Sequence, residues 1–152
     1  MTTAPAPAGF LHLVVGYDGS PPATRALDAA TRLLQGRVGH IHVEYVTHPS
    51  SLAMMSPGAI AEIEEDFDEI EKELRVSAAE QLRPSGAVWQ FERRPGLVAD
   101  ELIAVATAIR DAHADDTVAA VVGSSSHVAH RVVGSVAVSL ARHSPVPLVI
   151  VP

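Results

Sequence analysis

The stretch FLHLVVGYDGSPPATRALDAATRLLQG, residues 10–36, decides how this chain folds. Phe10 to Gly16 is a near-continuous apolar run ending in glycine, the pattern of a strand buried on both faces. Asp18, Gly19, Ser20 and two prolines follow, which is the punctuation between a strand and a helix. Ser20 is read as the N-cap, with Pro21 at the first helical position, where a missing N–H costs nothing. From Pro22 to Gln35, Ala23, Ala26, Leu27, Ala30, Leu33 and Leu34 recur at helical spacing, with Arg25, Asp28 and Arg32 on the other side. Gly36 ends the helix.

The rest of the chain repeats this alternation. HIHVEYV, His40 to Val46, alternates polar and apolar residues and puts Ile41, Val43 and Tyr45 on one face of a second strand. His48 to Gly58 is a loop with two prolines, long enough to be functional or mobile. Ala59 to Leu82 predicts a long acidic helix with the apolar stripe Ile60, Ile63, Phe67, Ile70, Leu74 and Ala78, its carboxylates facing solvent. In Val88 to Arg93 (VWQFER), Trp89 and Phe91 share a face, and Pro95-Gly96 breaks this third strand before a helix from Leu97 to Ala112. Val118 to Gly123 (VAAVVG) is the second strand that is apolar throughout, and Ser124-Ser125-Ser126 follow it. A helix from Val132 to Arg142 leads to the last strand, Val146 to Val151.

Strict βαβαβαβαβ alternation calls for a parallel sheet with right-handed crossovers, hence a three-layer, doubly wound, five-stranded α/β domain. The first and fourth strands, apolar on both faces, belong at its centre, and the alternating third at an edge. Pro147 favours an edge for the fifth, because proline has no N–H to give to a ladder. An apolar edge left open invites a second copy, so a homodimer through Val146 to Val151 is expected.

A length of 152 residues suits one domain, read here as 10–152 behind an Ala/Pro tail at 1–9 that is expected to be mobile. The absence of cysteine excludes disulfides, thiolate metal sites and cysteine nucleophiles. No apolar run reaches the ~18 residues of a membrane span, and the tail lacks a signal-type stretch, so the expected compartment is the cytoplasm. A net charge of −7 argues against a nucleic-acid partner. Eight of the carboxylates fall between Glu62 and Glu73, however, so the rest of the molecule is near neutral and compatible with a small anion.

If the first and fourth strands are neighbours, the winding reverses between them, and ligands in open α/β sheets bind beyond the strand ends at such a switch point. Two glycine-bearing turns meet there: Gly16-Tyr17-Asp18-Gly19-Ser20, and Gly123 through Ser126 to Gly134-Ser135 at a helix start. Backbone N–H groups, hydroxyls and a helix dipole can hold a phosphate without lysine, although Gly-Ser pairs also make ordinary turns. Asp18 reads equally as a turn-former or as an acceptor for a ribose hydroxyl or a base amine. Walker-type, nucleophile-elbow and HExxH patterns are missing, so catalysis is not expected. His40 and His42 share a strand face, and His127 and His130 are three apart, but no carboxylate or cysteine stands at a matching spacing, so no metal site is expected.

Taken together, LVVGYDGS at Leu13 to Ser20, the Gly96 turn, VVGSSS at Val121 to Ser126 and GSVAVSLARHSPVPLVIV at Gly134 to Val151 make the chain resemble the universal stress protein family. The resemblance implies a Rossmann-like sheet of the adenine nucleotide alpha hydrolase kind, with strand order 3-2-1-4-5 and dimerisation through the last strand. It also implies a role in stress response or regulation and, in one large branch, binding of ATP, with Mg²⁺ and at most slow hydrolysis. That branch carries Gly, two residues, Gly, nine residues, then Gly-Ser or Gly-Thr. Here Gly123 matches the first position, Ser126 replaces the second glycine, and seven residues separate it from Gly134-Ser135. The nucleotide-binding residues implied are Tyr17, Asp18, Tyr45, Val122, Gly123, Ser124, Ser126, Gly134, Ser135 and Val136, with Asp18 near base and ribose and Tyr45 beside adenine. The rival is a domain of the same fold without nucleotide, contacting a regulatory protein through the Glu62 to Glu73 helix or the Met54-Met55 loop.

Overall fold

The computed structural model describes residues 9–48, 55–124 and 134–152. The tail to residue 8, residues 49–54 of the long loop including Met54, and Ser125, Ser126, His127, His130, Arg131 and Val132 lie outside the described residues.

Five parallel strands, β1 (Leu11–Gly16), β2 (Gly39–Thr47), β3 (Val88–Pro95), β4 (Thr117–Gly123) and β5 (Leu148–Val151), stand in the order β3-β2-β1-β4-β5. Helices α1 (Pro21–Leu34), α2 (Pro57–Leu82), α3 (Val98–Ala112) and α4 (Ser135–His143) make the crossovers. β1 and β4 pair at the centre, with Leu13 opposite Ala119 and Val15 opposite Val121. Period-two alternation then sorts each strand between two cores. Leu13, Val15, Ile41, Val43, Phe91 and Val121 pack with α1 and the end of α2, while Val14, Ala120 and Val122 pack with Leu102, Val105 and Leu140 of α3 and α4.

The edge positions of β3 and β5 agree with the sequence reading. Pro147 precedes β5 instead of lying within it, and its carbonyl accepts from Ala120 at 2.9 Å. Two expectations about α2 need correction. Of its apolar stripe only Ala78 is buried, Leu74 is partly so, and Ile70 is 41% exposed. A helix of 26 residues runs ~39 Å, whereas an eight-residue β3 spans ~26 Å, so the first turns overhang the sheet. Nor do all the carboxylates simply face solvent. Arg93 of β3 gathers Asp68 at 2.8 Å, Glu71 at 3.4 Å and Glu64 at 3.6 Å, which ties the overhang to the sheet edge.

The polar face of β2 is buried, because β2 lies inside the sheet. Besides Thr47, the buried polar residues among those described are His12, His42 and Glu44, all pointing to the α3 side. Burial, with the nearby charges of His40, His12 and His113 acting in the same direction, pushes His42 down to about 4. It stays neutral at physiological pH. No described helix is long and apolar enough to cross a membrane.

Candidate functional site

A cavity of about 300 Å³ opens where β1 and β4 end, at the lower limit of the ~300–1,000 Å³ usual for small-molecule sites. Its wall is built by Gly16, Tyr17 and Asp18 beyond β1, Val122 and Gly123 of β4, and Gly134 to Ala137 at the start of α4. The α1 start (Pro22, Ala23), Glu44 and Val46 of β2 and Val98 of α3 complete it.

Three helices begin at this cavity, α1, α3 and α4, and they differ in what their N-termini offer. α3, which starts at Val98 on the wall, carries Asp100 and Glu101 in its first turn and so repels an anion. In α1 the first two helical positions are prolines, and the Ala23 N–H is taken by the Ser20 hydroxyl at 3.4 Å. That end has no free donor at its first three positions. In α4 the cap is Gly134, which has no side chain to offer, so the N–H groups of Ser135, Val136 and Ala137 meet no capping side chain among the described residues. These donors and the positive end of the helix dipole are the groups an anion entering the cavity would meet at α4.

Gly123 is required by close approach. A Cβ there would run into the Pro22 carbonyl, so the end of β4 and the start of α1 can touch only through glycine. Gly19, at φ +76°, makes the turn after β1, where a side chain would also meet Leu74. Asp18 accepts the Ser20 N–H at 3.0 Å and is exposed at the rim, so its role as a turn-former holds. The Tyr17 hydroxyl is hydrogen-bonded to Ser77 of α2 at 3.0 Å.

Glu44, on the cavity wall, is the residue that sequence reasoning missed. It is 1% exposed, and one carboxylate oxygen is bound by Arg94 Nε at 2.7 Å. Its other oxygen, Oε1, is buried and has no hydrogen-bond partner among the described residues. Burial pushes this carboxyl up, with Arg94 opposing the shift. A buried acceptor of this kind is satisfied by an ordered water or by a donor that reaches it from the cavity.

Of the residues expected at the site, Tyr17, Asp18, Val122, Gly123, Gly134, Ser135 and Val136 line this one cavity. Tyr45 does not. It points into the α1 and α2 core, because its neighbours Glu44 and Val46 occupy the strand face that meets the cavity. Ser124 sits beside the wall, its N–H bonded to the Val151 carbonyl at 2.7 Å and its carbonyl held by Arg25 at 3.2 Å, and so closes β4 onto β5. Ser126 lies outside the described residues.

The family model described as "Universal stress protein family" matches residues 9–152, all but the first eight residues. The chain belongs to the universal stress protein family. Among solved universal stress proteins, UspA from Lactobacillus plantarum is 19% identical, with a TM-score of 0.74 over 95% of this chain and 99% of that one. A universal stress protein in complex with cAMP is 23% identical, with a TM-score of 0.62 over 95% of this chain and 98% of that one. An Arabidopsis thaliana family member with AMP bound is 14% identical, with a TM-score of 0.56 over 93% and 90%. At these identities the likeness is one of fold. No curated protein matches the chain significantly.

Proposed function

We propose that this universal stress protein binds an adenine nucleotide, ATP with Mg²⁺ or a related mononucleotide, in the cavity between β1 and β4, and acts through it in cytoplasmic stress response or regulation. The observation that carries the reading is the N-terminus of α4, uncapped among the described residues, opening into the same cavity that Asp18 and Glu44 line. Phosphates would take the N–H groups of Ser135 to Ala137, while Glu44 and Asp18 supply acceptors for the amine and ribose hydroxyls. The cAMP and AMP carried by two proteins of this fold make an adenine nucleotide the first ligand to try. The site offers binding groups without an assigned base, so turnover beyond slow ATP hydrolysis is not expected.

The protein acts as a homodimer in this reading, joined through β5. Among the described residues that strand pairs with β4 alone, and Ile150 on it is 37% exposed. A monomer by sedimentation at micromolar concentration would remove this part of the proposal.

The test of binding is chromatography of the supernatant after denaturing freshly purified protein, with a thermal shift for added ATP, AMP and cAMP. Released nucleotide, or a rise in melting temperature that Asp18→Ala diminishes, supports the reading. If nothing is released and no nucleotide shifts melting at millimolar concentration, the protein-interaction account takes over. The observation favouring that account is the overhanging start of α2, where Ile60, Ile63 and Phe67 are only half-covered.

A further inference from the structure

We propose that His12, His113 and Asp116 form a binding site for a divalent transition metal of the zinc kind at the opposite end of the sheet from the nucleotide cavity. His12 lies at the start of β1, ~20 Å along the strand direction from Asp18, so this site stands independently of the nucleotide reading.

The donors come from three places. His12 Nε2 is 3.1 Å from Asp116 Oδ2, and His113 Nδ1 is 3.7 Å from the same oxygen. All three ligand atoms lie within 4.8 Å of one another. A metal ~2.1 Å from each of three tetrahedral donors needs them ~3.4 Å apart, so the exposed His113 ring, stacked on His12 with centroids 5.0 Å apart, must rotate off that stack to close the set. The remaining position opens to solvent, since the Asp116 and His113 side chains are 24% and 52% exposed.

The supporting groups fit a ligating His12. This residue is 6% exposed and held in β1 between His40 of β2 and Val118 of β4. When imidazole ligates through Nε2 it carries its proton on Nδ1, which must then donate. His12 Nδ1 lies 3.1 Å from His42 Nε2, a buried ring nitrogen placed to accept. Two imidazoles and one carboxylate select zinc, cobalt or nickel over the hard cations Mg²⁺ and Ca²⁺, which take oxygen donors. The carboxylate that spacing along the sequence lacked is supplied by topology. Pairing of β1 with β4 brings Asp116 to His12 across 104 residues.

The experiment is a Co²⁺ titration of the untagged full chain, stripped with chelator, at pH 7.5. It is followed by visible absorption and by Zn²⁺ competition in a calorimeter. Expected are one Co²⁺ per chain with ligand-field bands, displacement by Zn²⁺ and no displacement by millimolar Mg²⁺. His113→Ala and Asp116→Asn should each weaken binding about 100-fold, at the upper end of what even supporting residues are worth. Both positions reach solvent, so melting of the metal-free variants should change little. The double change His127→Ala with His130→Ala should leave affinity unaltered. No stoichiometric binding, or binding that survives His113→Ala and Asp116→Asn but is lost with His127 and His130, would overturn the site.

Discussion

Replacing Ser135 by proline removes one backbone donor from the cavity while leaving the helix able to form. Ser135 is the first residue of α4, where proline is favoured because its N–H has no partner within the helix. Gly134 before it has φ −58° and ψ 157°, the extended conformation that a residue preceding proline prefers. α1 already starts with two prolines in the same fold. The change therefore subtracts the donor, and Ser135→Ala, which removes only the hydroxyl, is the matched control. A hydrogen bond to a charged phosphate contributes about 1.5–3 kcal/mol. Ser135→Pro should accordingly bind ATP ~10- to ~150-fold more weakly than Ser135→Ala by calorimetry. Circular dichroism should report the same helix content in both. Equal affinities in the two variants would refute the assignment of the α4 N-terminus as the phosphate wall.

Arg94→Met leaves Glu44 buried without its cation, and a one-third exposed arginine makes this worth about 1–3 kcal/mol at pH 7.5, below the ~3–5 of a fully buried pair. Because the Glu44 carboxyl is raised in the folded state, its proton-bound form favours folding. The deficit should therefore be largest above the folded pKa and shrink as pH falls through it toward the ordinary carboxylate value. Urea unfolding at pH 7.5 and 4.5 checks this, and an equal loss at both pH values contradicts it. Leu102→Ala empties a fully buried position beneath the end of β1 and should cost about 2–5 kcal/mol, or ~4–20 °C in melting temperature. Gly123→Ala forces the β4 end away from Pro22, for about 1–3 kcal/mol, and should weaken nucleotide binding through the displaced wall; unchanged melting and affinity would mean the two segments are not held together.

The sheet was legible because its order is written in apolar content. Strands that are apolar on both faces, as in Leu13 to Val15 and Val118 to Val122, can only be central, and the right-handed crossovers leave few alternatives for the rest. The cavity followed from that order, since the reversal between β1 and β4 fixes where the two glycine turns converge. Tyr45 was misplaced by one residue on a strand, which is enough to send a side chain to the opposite layer. Glu44 left a signal that went unread: a strand inside a covered parallel sheet with the polar face His40, His42, Glu44 must bury those groups. The His12 to Asp116 contact left none, because it depends on strand register across most of the chain.

The most direct measurement follows amide resonances of ¹⁵N-labelled protein as ATP is added. The account predicts saturable shifts at Tyr17 to Gly19, Gly123, Ser124 and Gly134 to Ala137, with Leu11 to Leu13 unmoved. Shifts confined to another surface, or a spectrum unchanged at millimolar ATP, would contradict it.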